Sequence, residues 1–306
     1  MITSRAVPRV TTFGRMGRTR RRIDLFPYLL CAPTVLLILC LTVLPALYAL
    51  VMSLSKVQYI ELQQFVGLAN YVNVLSDPLT KTNLLVTAKF VGGSIIGFVI
   101  VAFILALVLN QPIVGRPAFR TAVLIPWVTT QVVSTLVIKW LVDFDIGFVD
   151  QALRSVGLQP IRFLSDANNA MLTLIGITVW RAAPYGMVLL LAGLQTIPAD
   201  LYEAARVDGA NAWQRFTRIT LPLVRAPVLI MVVMESMGLV SLVTPILVLT
   251  GGGPADATEV FALRLFKEAF TNFNMGVGAT IAMLVFAIDV VLSGVYIMLL
   301  GRKDEA

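Results

Sequence analysis

Six stretches of this 306-residue chain run for roughly twenty or more residues with few charges: about 28–54, 84–109, 122–142, 170–194, 228–249 and 277–300. About 20 apolar residues in helix cross a hydrocarbon core of ~30 Å, and within it each backbone polar group must find its partner in the same segment. Each stretch is therefore expected to be a membrane-spanning helix. The expected fold class is an all-α membrane protein with six transmembrane helices, and the composition, 58% apolar and 13% charged, agrees. The first run is too long for a signal-peptide core, and no small-residue cleavage site follows Arg20, Arg21 and Arg22, so it is expected to stay attached.

The net charge of +7 has two readings, a nucleic-acid partner or a topology signal. Placing the basic residues separates them. On one face lie Arg5, Arg9, Arg15, Arg18, Arg20, Arg21 and Arg22 in the amino tail, and Arg116 and Arg120 after the second span. The same face takes Arg206, Arg215, Arg218 and Arg225 after the fourth span, and Arg302 and Lys303 in the carboxyl tail, fifteen in all. The other face holds six: Lys56, Lys81, Arg154, Arg162, Arg264 and Lys267. By the positive-inside rule both termini are cytoplasmic, and the basic tail is an anchor beside anionic lipid rather than a nucleic-acid site.

The 1–24 tail thus precedes one continuous membrane domain expected over 25–301, with a short 302–306 tail behind it. Three segments, about 55–83, 143–169 and 250–276, are expected outside. Histidine is absent from the chain, which removes His-based zinc sites and Ser-His-Asp triads, and Cys31 and Cys40 share one apolar run, which makes a disulfide framework or cysteine cluster implausible.

The inside connection 196–222 is more than a turn. Pro198 suits a first helical turn, and Ala199 to Val207 are mostly good helix formers. Asp208-Gly209 then breaks the helix, since glycine accepts a positive φ. A second helical stretch places Trp213, Phe216 and Thr220 on one face and stops at Pro222. Two short helices therefore meet at an elbow where Ala204, Ala205, Gly209, Ala210 and Ala212 leave the backbone open to another protein's surface. A lipid-lying amphipathic helix is the alternative, but it would want larger apolar residues at its centre.

Glu203-Ala204-Ala205, Asp208-Gly209-Ala210, Phe216, Ile219, Leu221 and Pro222 resemble the EAA motif of ABC importer permeases, E-A-A-x-x-D-G-A with a downstream I-x-L-P. The resemblance implies a MetI-like, type-1 ABC transmembrane bundle whose loop is a coupling helix docking on a cytoplasmic ATPase subunit. Phe65 to Tyr71, Arg120 to Trp127, Leu191 to Pro198 and Leu249 to Pro254 are similar to the carbohydrate branch, the maltose, trehalose and glycerol-phosphate permeases. Where relatives often carry an aromatic and an Asp before the LTGGGP stretch, this chain has Val243 and Thr244.

What the resemblance implies is a permease subunit in a bacterial inner membrane, importing a sugar or sugar-like solute delivered by an extracytoplasmic solute-binding protein. A second homologous permease and two ATPase subunits are the implied partners. This chain has no Walker A sequence and is expected to bind no cofactor, with ATP and Mg used by the ATPases.

Transport sites gather where spans are interrupted near the midplane. Trp180, Arg181 and Tyr185 surround Pro184 in the fourth run, Pro126-Trp127 lies in the third, and Glu235, Ser241, Thr244 and Pro245 lie in the fifth. Ionisable groups at such depth cost about 2.5–3.5 kcal/mol on insertion scales and mark function by default. The candidate substrate path is therefore Trp127, Trp180, Arg181, Tyr185, Glu235, Ser241 and Thr244. Two readings of Arg181 stay open, a solute contact or an ion pair with Glu235. Gly251 to Gly253 read as a flexible outside turn rather than a phosphate cradle, because no Lys-Ser/Thr follows. The rivals are a membrane-embedded enzyme using Glu235 and Asp289 as a carboxylate pair, and a passive channel.

Overall fold

The computed structural model describes residues 26–58 and 61–301; the basic tail 1–24 and the tail 302–306, with the arginines expected to fix the orientation, lie outside the described residues. Four helices are long and apolar enough to cross a membrane, Leu29–Ser53, Pro78–Asn110, Ala167–Gln195 and Met275–Met298. Two bent pairs bring the number to six if each is one span.

The chain divides into two units, residues 1–47 and 48–306. In the first, α1 (Phe26–Ile38) passes through a π turn (Leu39–Val43) toward α2 (Leu44–Ser53). The Leu44 N–H donates five residues back, to Leu39. Pro45 explains the widened turn: it has no N–H, and its ring would crowd the carbonyl of a regular preceding turn.

The second unit takes in the last turns of α2 and then a two-stranded antiparallel hairpin, β1 (Ser55–Gln58) and β2 (Glu61–Phe65), a small departure from an all-α chain. Helix α3 (Ala69–Ser76) follows, and its Asn70 Nδ2 donates to the Ser53 and Ser55 carbonyls at 2.9 Å each. Helix α4 (Pro78–Asn110) starts with Pro78 in its first turn and an Asp77 cap that accepts from the Leu79 N–H at 3.0 Å.

The expected third span, 122–142, is two helices. Helix α5 (Arg116–Val128) and α6 (Gln131–Leu141) meet at 96° around Thr129 and Thr130. Pro126 sits inside α5, and the chain turns only after it. After the short α7 (Phe148–Ser155), α8 (Ala167–Gln195) runs unbroken through Pro184, its Asp166 side chain capping the N–H groups of Asn168 and Asn169.

Beyond α8 come α9 (Ala199–Val207), α10 (Ala212–Arg215), a π turn (Phe216–Thr220), α11 (Leu221–Leu223) and α12 (Arg225–Val240). The expected fifth span, 228–249, is likewise not one helix. The α12 helix has 16 residues, about 24 Å at 1.5 Å per residue and short of a bilayer core. After a break at residues 241–243, α13 (Thr244–Leu249) resumes with Pro245 in its first turn. Helix α14 (Phe261–Phe266), a π turn (Lys267–Thr271) and α15 (Met275–Gly301) close the chain.

Glycines set the central contact. A Cβ on Gly93 would lie 2.7 Å from Ile175 Cδ1, one on Gly97 2.8 Å from Val179 Cγ2, and one on Gly186 2.8 Å from Phe98 Cζ. The partners ascend together, so α4 and α8 run parallel with their first turns at one end. Where the two helices finish, Phe98, Ala102, Ala106 and Leu109 pack with Met187, Leu190, Leu194, Val224 and Met231, joining α4, α8 and α12. Toward the opposite end Phe90, Leu174, Ile177, Ile246, Val260 and Leu263 form a second core that holds α13 and α14.

Residues 250–260 correct the expectation of a flexible glycine turn. Thr250 and Thr258 share a hydrogen bond of 2.7 Å, the Thr258 N–H donates to the Gly252 carbonyl at 3.0 Å, and its hydroxyl donates to that of Gly253 at 2.8 Å. Gly252 is buried with φ +98°, and a Cβ there would meet Glu259 Oε2 and Lys267 Nζ at 3.1 Å each. Gly252 is thus required by close approach, and Gly251, at φ +64°, by its left-handed backbone.

Candidate functional site

The elbow between α9 and α10 lies at the end of the bundle where α4 and α8 finish. The α9 helix ends in a Schellman motif. Gly209 takes φ +79°, its N–H donates to Arg206 at 3.1 Å, and the Ala210 N–H donates to Ala205 at 2.9 Å. Two residues later α10 opens on a capping box: Asn211 Oδ1 accepts from the Gln214 N–H at 2.9 Å, and Gln214 Oε1 accepts from the Asn211 N–H at 2.8 Å. Arg215 Nη1 donates to the Ala210 carbonyl at 2.6 Å. The reversal thus pairs the N–H groups of Asp208, Gly209, Ala210 and Asn211 and the Ala210 carbonyl within itself.

Glu203, Ala204, Asp208, Gly209 and Pro222 are exposed, and Ala205 and Ala210 half-buried. Nothing lies within 4 Å of a Cβ built on Gly209, so its surroundings are open. Beside it a concavity is lined by Ala205, Asp208, Ala210, Gln214, Arg218 and Ile219. Phe216 does not belong to that surface. It turns inward, edge-on to Phe103 at 5.9 Å and next to Trp213 at 5.8 Å. A π turn again precedes a proline: the Leu221 N–H reaches back to Phe216, and Pro222 follows.

In the middle of the bundle a polar cavity of about 110 Å³ opens among α6, α8 and α12. It is lined by Gln131, Thr135, Thr178, Arg181, Glu235 and Gly238 among others, with Leu242 and Pro245 from the α12–α13 break. Arg181 is the middle residue of α8. Arg181 and Glu235 face the same cavity without closing to an ion pair; among the described residues the ion pairs are Arg264–Asp77 and Lys267–Glu259.

The other expected path residues are placed separately. Trp127 and Tyr185 stack at 5.7 Å with 22° between their planes, and the Tyr185 hydroxyl donates to Met234 Sδ at 3.2 Å. Trp180 is exposed on the outer side of α8. Ser241 lies beside the Asp289 carboxylate, whose Oδ1 is buried without a hydrogen-bond partner, and Thr244 is half-buried at the start of α13. Neither Ser241 nor Thr244 lines the cavity. Gln131, Thr135 and Thr178 do, unnoticed in the sequence although Gln131 and Thr135 stand one turn apart in an apolar helix.

Sequence reasoning also missed the cluster at the end opposite the elbow. Arg264 is buried, pairs with Asp77, donates to Thr80 Oγ1 at 2.8 Å and reaches Asn83 Oδ1 at 3.4 Å. Asn83 Nδ2 in turn donates to the Glu259 carbonyl at 2.8 Å, and Thr87 Oγ1 accepts from the Phe261 N–H at 2.8 Å. These bonds fasten the 250–264 segment onto the start of α4. Among the described residues no three His, Cys, Asp or Glu side chains come together as a metal site.

Over residues 26–303 the chain matches the family described as binding-protein-dependent transport system inner membrane component. The trehalose/maltose transport system permease protein MalF of Thermococcus litoralis is 34% identical over 274 residues, covering 88% of this chain and 92% of the relative. Two solved structures share the fold. A bacterial ABC transporter involved in the import of the acidic polysaccharide alginate aligns with TM-score 0.80 at 21% identity, over 92% of this chain and 96% of that one. The bacterial alginate ABC transporter in complex with an alginate pentasaccharide-bound periplasmic protein aligns with TM-score 0.78 at 21% identity, over 89% and 93%.

Proposed function

From the premise that this chain belongs to the family of binding-protein-dependent transport system inner membrane components, we propose that it is the permease subunit of an ABC importer for a sugar or sugar-like solute. The observation that carries the proposal is the exposed elbow: Glu203, Ala204, Asp208 and Gly209 stand clear of the bundle on a rigid reversal. A passive channel has no use for such a projection.

In this reading two cytoplasmic ATPase subunits hold ATP and Mg, and one of them grips the elbow formed by Glu203, Ala204, Ala205, Asp208, Gly209 and Ala210. A second, homologous permease completes the pathway, and a solute-binding protein delivers cargo at the Arg264 end. The elbow end is cytoplasmic, as the charge census argues. The sugar assignment is supported by the relative that transports trehalose and maltose and by the likeness to alginate importers.

Within the chain, the cavity holding Arg181, Glu235, Gln131, Thr135 and Thr178 is the proposed solute-facing site. Hydroxyl and amide groups there match the donors and acceptors of a polyhydroxylated solute, and the cavity draws on residues beside the α5–α6 bend and the α12–α13 break, where interrupted helices suit a transport site. Stacked Trp127 and Tyr185 flank the route. Phe216 and Pro222 hold the elbow's second helix to the bundle. A carboxylate-pair enzyme is disfavoured, because Glu235 lines the cavity and Asp289 does not.

The test is ATP-driven uptake by the assembled importer in proteoliposomes. Gly209→Asp or Glu203→Lys should abolish uptake while membrane insertion stays intact. Unchanged uptake in both variants would overturn the importer reading.

A further inference from the structure

A groove of about 1260 Å³ runs between α4 and the 202–221 stretch of the elbow. One wall is hydrocarbon, formed by Val99, Ile100, Phe103, Ile104 and Leu107 on α4, of which Ile100 and Ile104 are each more than half exposed. From Leu107 to Val99 this wall climbs eight residues, about 12 Å at 1.5 Å per residue. That is close to the ~15 Å depth of a single leaflet of a ~30 Å hydrocarbon core.

The mouth of the groove has the opposite chemistry. Asn110 and Gln111 end α4 there, facing Arg206 of α9 and Arg215 of α10. Among the described residues the Arg206 guanidinium has no hydrogen-bond or ion-pair partner, and Arg215 uses Nη1 on the Ala210 carbonyl while keeping its other N–H groups. Between mouth and wall stand Tyr202 and Trp213, the latter 71% exposed. Amphipathic rings at the boundary between charge and hydrocarbon are typical of a membrane interface.

We propose that this groove is a binding site for one anionic phospholipid of the cytoplasmic leaflet, its phosphate held by Arg206 and Arg215 and one acyl chain laid along Val99 to Leu107. The length of the apolar wall fits one leaflet, and the two guanidiniums at its open end fit a phosphate, for which planar paired donors are suited. A protein helix seated there would cover the apolar wall but leave both arginines needing carboxylates of its own. The cytoplasmic leaflet is the negatively charged one, and basic residues near it gain about 1 kcal/mol each. The inference rests on the reading of the elbow end as cytoplasmic. It makes Arg206 a lipid ligand, while its neighbours Glu203 and Gly209 serve the ATPase.

The experiment uses the assembled importer in nanodiscs of equal phosphatidylglycerol and phosphatidylcholine, with Ile104→p-benzoylphenylalanine as a photo-crosslinker and mass spectrometry of the adducts. The expected result is a preference of about fivefold or more for phosphatidylglycerol, lost to near parity with Arg206→Gln and regained in part with Arg206→Lys. Equal labelling by both lipids without the Arg206 substitution means ordinary boundary lipid and overturns the site. Adducts to a peptide of the second permease mean that protein covers the groove, which also overturns it. Uptake measured on the same samples, and its loss with Gly209→Asp, separates failure of the lipid site from failure of the importer reading.

Discussion

The hydroxyls of Tyr202 and Thr220 lie 2.9 Å apart, a bond that closes the elbow by joining α9 to the far end of its second helix. A pull on α9 therefore reaches the start of α12 through this link as well as through the backbone. Tyr202→Phe removes it at a cost of about 0.5–1.5 kcal/mol. Uptake per ATP hydrolysed is expected to fall roughly two- to fivefold while hydrolysis itself persists, measured as paired uptake and phosphate-release rates. An unchanged ratio would show that the link transmits nothing.

Gly209 tests backbone against surface. Its φ of +79° disfavours any residue with a Cβ by about 1–2 kcal/mol, and no neighbour lies within 4 Å to clash. Gly209→Asn is expected to keep the Schellman bonds and Gly209→Val to weaken them. Hydrogen exchange over 199–215 should then speed up about tenfold in the valine variant, since 1.4 kcal/mol is a factor of ten.

The glycines of the α4–α8 seam divide by contact. Gly186→Ala drives a methyl to within 2.8 Å of Phe98 and 2.9 Å of Ala102, whereas Gly92 and Gly176 have nothing within 4 Å. Overpacking costs about 1–3 kcal/mol. The melting temperature of the detergent-purified complex should drop with Gly186→Ala and hold or rise with Gly92→Ala and Gly176→Ala. Equal effects at the three positions would contradict the packing described.

The Leu79 N–H, and after it the Arg264 guanidinium, hold the Asp77 carboxyl below the usual carboxylate range. A depressed carboxylate contributes its stability above the unfolded value of about 3.9, and loses it as pH falls through the lower folded value. The melting-temperature gap between the natural protein and Asp77→Asn should be flat from pH 8 to about 5 and shrink below about pH 4. A gap independent of pH down to 3 would assign Asp77 a purely steric role.

Arg181 and Glu235 face one cavity inside the bundle, so removing either charge leaves the other without its counterpart, commonly the more damaging change. Arg181→Met and Glu235→Leu are each expected to lower folded yield more than the double variant does. Uptake should be lost in all three, because the double variant restores packing and not the polar lining. Additive losses of yield would show that the two residues do not interact.

Much of this was legible in the chain. Hydrophobic run length located the helices α4, α8 and α15, whose ends lie up to six residues outside the runs, and Asp208-Gly209 between helix formers placed the elbow, because both signals are local. The breaks were harder. Pro126 marked the third run, yet α5 continues past it and turns at Thr129, and the fifth run's Ser241 and Thr244 border the break without lining the cavity. Arg264 looked like an outside loop charge; its partner Asp77 lies 187 residues away, and no local pattern records such a meeting. The two π turns ahead of Pro45 and Pro222 were unreadable too, since proline alone does not say whether a helix will end or widen.

The glycine-lined seam of α4 and α8 has a mechanical consequence. Two long rods locked side by side by backbone-close contacts behave as one beam, stiff against both sliding and twisting. In the importer reading proposed above, a displacement introduced at the elbow would be carried along this beam toward the Arg264 cluster. The yielding joints must then be the corners at residues 129–130 and 241–243, which hang on either side of the polar cavity like the hinges of a shutter.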